Sequence, residues 1–300
     1  MSKSLVVGMG IGNLYAKVLA NLGQEVVTVD NDPTKGADYT TVGEAIDRHS
    51  RFLTAHVCTP NYTHESVAEN LVDNADIIFV EKPGFETAEK WHRFAFKYPK
   101  VRVMMVKNNQ WRSDFDHIQK LYNDCHTVEF NWINHDRVPN PGTWFTNKYL
   151  AWGGVSRDLM PHLLSIYAAL EPEYLNQTNT KISKTQRWEL SDLTRTDYGT
   201  VNVNGIYNVD DRCEISFRND SRSVSFTANW RSLNKDDIAI RFYIGNNIRQ
   251  VSLGLCPEDA YERMIAAAIA NLNNDDSYFW EHHFEQDRWI HGMIDESKTA

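Results

Sequence analysis

An aspartate and a histidine four residues apart are the side chains of this sequence best suited to acid–base chemistry. Asp158 and His162 lie in the stretch Gly153-Gly154-Val155-Ser156-Arg157-Asp158-Leu159-Met160-Pro161-His162. Positions i and i+4 share one face of a helix. The imidazole could therefore take a proton near neutral pH while the carboxylate orients it. We predict both residues as catalytic; a pair that only decorates a helix surface is the alternative.

Pro161 limits where this helix can begin. Proline has no N–H, so in a helix interior it would break a hydrogen bond at a cost of about 3 kcal/mol or more. In the first turn, where the amides lack partners anyway, most of that cost disappears. The sequence therefore predicts a helix that starts near Arg157–Asp158, or one that is kinked there.

The N-terminal segment has the pattern of a nucleotide-binding turn. The uncharged run Leu5-Val6-Val7 is followed by Gly8-Met9-Gly10-Ile11-Gly12-Asn13, and apolar residues then recur at helical spacing. Glycines in such a turn let the backbone approach a pyrophosphate, whose charge the start of the helix stabilises. The third glycine comes one residue earlier than in G-x-G-x-x-G, and Asn13 takes its usual place. We predict cofactor contacts from Gly8, Gly10, Ile11, Gly12 and Asn13.

An acidic residue ends the second predicted strand. Asp30 closes the segment 24–30 and lies 22 residues after Gly8 (30 − 8). A carboxylate there can accept hydrogen bonds from the ribose hydroxyls and repels a 2′-phosphate. NAD is therefore expected as the cofactor rather than NADP, although Lys35 is close enough in sequence to reach a phosphate. A strand, turn and helix that bind no nucleotide are the alternative.

Two further apolar strands end in polar residues. The run 52–58 breaks at Thr59-Pro60-Asn61-Tyr62-Thr63-His64, and the run 76–80 ends in Glu81-Lys82-Pro83. Ligands bind at the carboxyl ends of the strands in open α/β sheets. A lysine before a proline has a restricted backbone, and its ammonium group could polarise a substrate oxygen. An ordinary turn and a solvated charge are the respective alternatives.

Together these motifs resemble the glucose-fructose oxidoreductase / inositol dehydrogenase (Gfo/Idh/MocA) family. The resemblance rests on the glycine turn 8–12, on 59–64, on Glu81-Lys82-Pro83 and on 153–162, in the family's order, and it covers most of the chain. It implies that Lys82, Asp158 and His162 surround the reacting carbon. It also implies a set of residues that line the cofactor: Thr59, Pro60, Asn61, His64, Glu81 and Lys82. Ser165 stands where many members carry a second acid.

The pattern of elements predicts two domains. Strands alternate with helical stretches as far as about residue 122, which indicates a parallel sheet covered by helices, that is, an N-terminal Rossmann domain over 1–122. These strands are expected near 4–8, 25–30, 52–58, 76–81 and 101–107. Later runs at 213–217, 224–228 and 238–242 alternate between apolar and polar residues, which predicts antiparallel hairpins with one buried face. We expect a C-terminal α+β domain over 123–300 with a mostly antiparallel, open-faced sheet, and a C-terminal helix that can pack back on the first domain.

Further residues are candidates for the substrate. Trp132, Trp144 and Trp152 flank the Asp–His segment, and aromatic faces stack on sugar rings. Asn109 and Arg112 follow the fifth strand and could reach a hydroxyl or carboxylate of the substrate. Substrate contacts are therefore predicted for Asn109, Arg112, Trp144 and Trp152, with core filling and a solvated loop as the alternatives.

Composition narrows the class of protein. The 300 residues are 42% hydrophobic, enough for a large core and about two domains. A formal charge of −9 argues against a nucleic-acid partner. The four cysteines lack C-x-x-C spacing and suit reduced thiols. No signal-peptide core or run of 18 apolar residues is present, so a cytoplasmic protein without a membrane partner is expected. The segment 281–285 lacks H-E-x-x-H spacing, so a solvated helix face and no metal are predicted.

The predicted function is that of an NAD-dependent oxidoreductase acting on CH–OH groups of a sugar, a polyol or a related compound. His162 takes the hydroxyl proton, Asp158 orients His162, and Lys82 stabilises the developing alkoxide. The expected partners are a small-molecule substrate and further copies of the chain, in a homodimer or homotetramer. Two alternatives stay open: a biliverdin-reductase-like reductase of another substrate class, and a non-catalytic NAD-sensing regulator on the same scaffold. The side chains of Lys82, Asp158 and His162 favour the enzyme, because neither alternative obviously needs them.

Overall fold

A computed structural model describes residues 2–193, 199–219, 222–254, 256–274 and 276–296 of the chain. The chain divides into two compact units. Unit 1 comprises Met1–Trp111 and Pro257–His291, and unit 2 comprises Arg112–Cys256 and Gly292–Ala300. The compact units divide between Trp111 and Arg112. The domain boundary between residues 122 and 123 concerns which segments fold independently, and it stays a prediction.

The described residues form eleven strands and ten α-helices. The strands are β1 (Lys3–Val7), β2 (Glu25–Val29), β3 (Phe52–Val57), β4 (Ala75–Val80), β5 (Arg102–Met105), β6 (Thr127–Ile133), β7 (Gln177–Thr185), β8 (Arg212–Asn219), β9 (Arg222–Asn229), β10 (Asp237–Ile244) and β11 (Asn247–Ser252). The helices are α1 (Gly12–Asn21), α2 (Val42–His49), α3 (His64–Glu69), α4 (Ala88–Lys97), α5 (Phe115–Asp124), α6 (Lys148–Ala151), α7 (Val155–Asp158), α8 (Met160–Leu170), α9 (Glu258–Asn273) and α10 (Ser277–Glu296).

The sheet of unit 1 is parallel throughout and has the order β2-β1-β3-β4-β5. A single parallel bridge between Val29 and Tyr39 continues it beyond β2. The chain thus moves outward from β1 first in one direction and then in the other, which is the doubly wound arrangement. Its strands are largely apolar because helices cover both faces of such a sheet. The predicted parallel, helix-covered sheet is confirmed.

The helix α10 ties down two strand ends of unit 1. The Asp287 carboxylate forms an ion pair with Lys107, and both side chains are fully buried. The other carboxylate oxygen of Asp287 accepts a hydrogen bond of 2.9 Å from the Met105 amide. One turn later, His291 accepts a bond of 3.1 Å from the Phe85 amide through Nε2. These contacts fix the chain just after β4 and β5.

The prediction of a solvated helix face over 281–285 is wrong for one residue. His283 is 7% exposed because its ring stacks on Trp111, with 6.0 Å between the ring centroids. Its neighbour His282 is half-buried, and its Nε2 lies 3.0 Å from the side-chain nitrogen of Gln286. This side of α10 therefore packs against other residues of unit 1.

Unit 2 contains a six-stranded sheet with the order β11-β10-β6-β9-β8-β7. All its neighbouring strands are antiparallel except β6 and β9. The hairpins β8/β9 and β10/β11 lie where the alternating pattern predicts them, although Asp220 and Ser221 of the first turn lie outside the described residues. The helices α5, α7 and α8 pack on this sheet. The predicted mostly antiparallel sheet is confirmed, whereas β6 and β7 were not predicted.

No described helix combines the length and the apolar character needed to cross a lipid bilayer.

Candidate functional site

The polar residues predicted for a nucleotide site lie at one edge of the unit 1 sheet. The glycine turn follows β1, Asp30 follows β2, the segment 59–61 follows β3, and Glu81-Lys82 follows β4. Because the carboxyl ends of parallel strands lie at the same edge of a sheet, these loops are neighbours there. Backbone hydrogen bonds join adjacent loops, such as the bond of 2.9 Å from the Glu81 amide to the Val57 carbonyl.

The three glycines of the turn have different surroundings. Gly8 has a φ of +94°, and a Cβ there would lie 2.7 Å from the carbonyl oxygen of Cys58. A Cβ on Gly12 would lie 2.9 Å from Cγ1 of Val6, so this glycine lets α1 pack closely on β1. A Cβ on Gly10 would meet no atom within 4 Å. The backbone of the turn is therefore open at Gly10, where the sequence analysis predicts that a pyrophosphate approaches.

Asn13 explains how the shortened turn is held. Its side-chain amide donates hydrogen bonds to the carbonyl oxygen of Met9 and, over 3.5 Å, to that of Gly10. The residue in the place of the usual glycine thus forms hydrogen bonds with carbonyl groups of the turn. Ile11, which precedes α1, is 43% exposed. The cofactor contacts assigned to these residues stay predictions.

The Asp30 carboxylate is fixed by the backbone. One oxygen accepts a bond of 2.6 Å from the Met9 amide, and the other accepts a bond of 2.9 Å from the Asp32 amide. A carboxylate offers about four acceptor positions, so Asp30 can still accept hydrogen bonds from ribose hydroxyls. Lys35, which could reach a 2′-phosphate, is exposed.

His64 connects two of the loops at this edge. It is fully buried, and its ring nitrogens lie 2.8 Å from the carbonyl oxygens of Gly84 and Thr59. Burial lowers the pKa of His64, while the two carbonyl contacts act in the opposite direction. Its position indicates that it holds the loop after β4 against the loop after β3. The cofactor roles of His64, Thr59, Pro60 and Asn61 stay predictions.

Glu81 has a partner that the sequence analysis missed. The Tyr15 hydroxyl donates a hydrogen bond of 2.6 Å to one Glu81 oxygen, and the other oxygen accepts a bond of 3.1 Å from the Lys82 amide. Tyr15 is fully buried, and both its burial and the Glu81 charge raise its pKa. Its spacing of three and four residues from Val18 and Leu19 indicates a core-facing position, but not its partner.

A second buried histidine lies in the core of unit 1. His56 on β3 stacks on Phe79, with ring centroids 4.8 Å apart, and its Nε2 lies 2.9 Å from the Thr54 hydroxyl. Burial lowers the pKa of His56 to about 3. The imidazole is therefore neutral in the folded protein near neutral pH.

In unit 2, the segment with Asp158 and His162 is interrupted between them. The helix α7 ends at Asp158, α8 begins at Met160, and Pro161 lies in the first turn of α8. The predicted break near Arg157–Asp158 is confirmed. Asp158 and His162 are half-buried, whereas the residues 153–157, 159–161 and 163–168 are buried. The two titratable side chains are thus accessible within an otherwise buried stretch.

Asp210 fixes the start of this segment and was not predicted. Its carboxylate accepts bonds of 2.9 Å from the Gly154 amide and 2.8 Å from the Ser156 amide. A carboxylate there stabilises the free amides and the positive end of a helix. A Cβ on Gly154 would overlap the carbonyl oxygen of Asp210, which explains why glycine is present.

Two tryptophans contact the acid–base pair. The Trp230 indole N–H donates a bond of 2.8 Å to the Asp158 carboxylate. The Trp132 ring stacks on His162, with centroids 5.4 Å apart and an interplanar angle of 29°. The sequence singled out Trp132 because it lies near the segment, but Trp230 was missed.

The other predicted substrate residues lie in different settings. Asn109 is fully buried in the short 3₁₀-helix Asn108–Trp111. Arg112 forms an ion pair with Asp114 at 3.0 Å. Trp144 stacks on the neighbouring Phe145 ring, and Trp152 directly follows α6 with a φ of +65°. Their contacts with a substrate stay predictions.

Lys82 belongs to unit 1, and Asp158 and His162 belong to unit 2. Their joint action on one substrate is therefore a proposal. Among the residues that the structure describes, no group of His, Cys, Asp and Glu could hold a metal ion.

Comparison with known sequences gives one distant relative. No protein-family model matches the chain. The chain is 27% identical over 235 residues to a putative UDP-kanosamine synthase oxidoreductase subunit of Amycolatopsis mediterranei (strain S699). The match covers 72% of this chain and 63% of that protein.

Comparison with solved structures gives close likenesses in fold. GenD2 from gentamicin A biosynthesis, in complex with NAD, has a TM-score of 0.78 at 16% identity, covering 99% of this chain and 93% of that one. Levoglucosan dehydrogenase with NADH and levoglucosan has a TM-score of 0.72 at 15% identity, with 99% and 96% covered. A myo-inositol dehydrogenase from Corynebacterium glutamicum has a TM-score of 0.72 at 14% identity, with 99% and 96% covered. The fold implied by the resemblance to glucose-fructose oxidoreductases and inositol dehydrogenases is therefore confirmed.

Proposed function

We propose that this protein is an NAD-dependent oxidoreductase that acts on a CH–OH group of a sugar, a polyol or a related compound. The observation that carries the proposal is the glycine turn, which is closed at Gly8 and Gly12 and open at Gly10, beside the Asp30 carboxylate. When bound, NAD would accept the hydride that leaves the substrate carbon, or NADH would supply it. The residues of the turn fit the pyrophosphate, and Asp30 fits the ribose hydroxyls.

Three side chains would carry the proton and charge chemistry. His162 takes the hydroxyl proton as the carbon is oxidised, and it returns this proton in the reverse direction. Asp158 stabilises the imidazolium that forms, because an anion nearby favours the charged ring. The Lys82 ammonium stabilises the negative charge that develops on the substrate oxygen. Glu81, held by Tyr15, positions the loop that carries Lys82.

The names of the similar proteins support the class of substrate. Levoglucosan, myo-inositol and UDP-kanosamine, which appear in these names, are all polyhydroxylated ring compounds. Tryptophans that flank the Asp158–His162 segment in the sequence suit such rings, because the C–H faces of sugar rings stack on indole. Trp144 and Trp152 are proposed as substrate contacts on this ground, and Asn109 and Arg112 as donors to hydroxyl groups.

The first experiment is a turnover assay on a panel of compounds. Formation of NADH from NAD, or of NADPH from NADP, would be followed with myo-inositol, levoglucosan, glucose and kanosamine. We expect turnover of at least one compound, with NAD preferred. Binding of NAD without turnover of any sugar or polyol would favour the regulator, and turnover of a linear tetrapyrrole alone would favour a biliverdin-reductase-like enzyme.

The second experiment tests the assigned roles. Lys82→Met keeps the length of the side chain but removes its charge, and His162→Asn removes the base. Each should lower kcat by about 10²–10⁴, the range for acid–base groups, while NAD still binds. Lys90→Met is the matched control for charge removal, since Lys90 pairs with Glu86 on the surface of α4. Near-normal turnover in Lys82→Met or His162→Asn would contradict the mechanism.

We also propose that the chain forms a homodimer or homotetramer in the cytoplasm. The support is the sheet of unit 2, whose face opposite α8 carries half-buried residues such as Thr127, Glu129 and Arg241. Light scattering on the purified protein would measure the mass. A monomer at all accessible concentrations would contradict this part of the proposal.

A further inference from the structure

Trp230 presents its only polar atom to the acid–base pair. The residue directly follows β9 and is 1% exposed, and its Nε1–H donates a 2.8 Å bond to Oδ2 of Asp158. A buried indole N–H usually finds an acceptor, but not every tryptophan here does. In the described part of unit 2, the buried Nε1 of Trp188 has no hydrogen-bond partner. The bond to Asp158 is therefore a specific contact.

Trp132 supports the other member of the pair. It lies on β6, is 9% exposed, and stacks on the His162 ring at 5.4 Å. The face of an indole ring carries negative charge density and attracts a cation. The stack therefore fixes the plane of the imidazole and favours its protonated form, which is the form produced when His162 accepts a proton.

The charged groups of the neighbouring elements mostly point elsewhere. The helix α8 packs against α7, β6 and β9. On α7, the buried Arg157 forms an ion pair with Asp295. On β9, Arg222 pairs with Glu171 at 3.0 Å. On β6, Glu129 and Trp132 are three positions apart, so they lie on opposite faces of the sheet.

Two ionisable groups remain to be placed. Tyr167 on α8 contacts Phe130, Phe217 and Phe226 in the core, and burial raises its pKa above the ordinary value of a tyrosine, so it carries no charge near neutral pH. Asp158 shares the half-buried side of the segment with His162. Among the charged residues of these elements, Asp158 is the one closest to His162 in the chain.

We propose that Trp132 and Trp230 are positioning residues for proton transfer: Trp230 fixes the Asp158 carboxylate through its N–H, and Trp132 holds the His162 imidazole by stacking. The inference deepens the proposed function and rests on it. Neither indole needs to touch the substrate. Other residues therefore select the substrate. The two tryptophans affect the rate of proton transfer.

The kinetic test uses Trp230→Phe, which keeps an aromatic ring but removes the N–H. With NAD and the panel compound that turns over fastest, kcat should fall about tenfold or more, the effect of losing a hydrogen bond to a charged group. The KM for that compound should change by less than roughly threefold, because substrate contacts are retained. Trp188→Phe is the matched control, since its N–H donates to no described group, and it should leave kcat unchanged.

A double variant separates positioning from a general loss of structure. In an Asp158→Ala background, Trp230→Phe should lower kcat by less than about twofold, because the acceptor is already gone. An equal loss in both backgrounds would overturn the assignment of Trp230.

Two NMR measurements need no turnover and therefore stand apart from the proposed function. The indole ¹H–¹⁵N signal that disappears in Trp230→Phe should move in Asp158→Asn, because a neutral amide is a weaker acceptor. The imidazole signal of His162 is assigned as the one that disappears in His162→Asn. The pKa obtained from this signal should fall by about half a unit to one unit in Trp132→Leu. An unmoved indole signal, or an unchanged His162 pKa, would overturn the proposal for that tryptophan. If the indole signal moves and the His162 pKa falls but no compound is turned over, only the proposed enzymatic function is contradicted.

Discussion

Removal of one buried charge should destabilise unit 1 far more than removal of a surface charge. Lys107 and Asp287 are both fully buried and form an ion pair. In Lys107→Met, Asp287 keeps only the Met105 amide as a described donor and has no positive charge beside it. Breaking a buried pair in this way costs about 3–5 kcal/mol. That is a large part of a total stability of about 5–15 kcal/mol.

The assay is urea unfolding at neutral pH without nucleotide, monitored by tryptophan fluorescence. Lys97→Met is the control, because Lys97 pairs with Glu69 on the surface with 58% of its side chain exposed. Such pairs contribute little, so this variant should unfold like the unmodified protein. The double variant Lys107→Met/Asp287→Leu should recover part of the loss, because no buried charge then lacks a partner.

The reasoning would be refuted if Lys107→Met were no less stable than Lys97→Met. It would also be refuted if the double variant were as unstable as the sum of its two single variants.

Three further predictions concern residues of unit 1. The pKa of His56 is about 3 in the folded protein against 6.5 for an ordinary histidine. Between pH 6.5 and about 3, the unfolded chain therefore binds a proton on His56 that the folded protein does not bind. Stability should therefore fall by roughly 1.4 kcal/mol per pH unit as the pH drops from about 6 toward 3; urea unfolding of His56→Leu should show a weaker acid dependence, and an identical one would contradict the assignment. Gly10→Val should abolish NAD binding in calorimetric titration while its circular dichroism stays unchanged, since a Cβ there would meet no protein atom within 4 Å; undiminished affinity would mean that the turn does not hold the pyrophosphate. Asp30→Ala should reduce the preference for NAD over NADP, measured as the ratio of the two affinities. Any loosening of the turn at Met9 weakens the binding of both nucleotides equally and leaves this ratio unchanged. Equal affinities in the unmodified protein would remove the basis for NAD preference.

The sequence predicted the features that depend on neighbouring residues. Apolar runs bounded by polar breaks located the strands of unit 1, and the loops after them were expected at one edge because parallel strands end together. The proline at 161 predicted the break in the segment with Asp158 and His162. Each of these inferences used residues within a few positions of one another.

The missed contacts join residues that are distant in the chain. The hydrogen bond from Tyr15 to Glu81 spans 66 positions, the bond from Trp230 to Asp158 spans 72, and the bond from Met105 to Asp287 spans 182. Periodicity shows that such a residue faces a core, but it contains no information about the residue opposite. Asp210, which holds the start of α7 from 54 positions away, was missed for the same reason.

The contribution of α10 to unit 1 bears on how the chain folds while it is being made. Translation releases the N-terminal strands first, yet Lys107 and Asp287 are 180 positions apart. Until α10 has been synthesised, the Lys107 ammonium must remain in water and the Met105 amide lacks its native acceptor. The parallel sheet can therefore close over its last strand only late in synthesis, after residues Arg112–Cys256 of unit 2 have been made. A nascent chain would thus carry an incomplete unit 1 for most of its time on the ribosome.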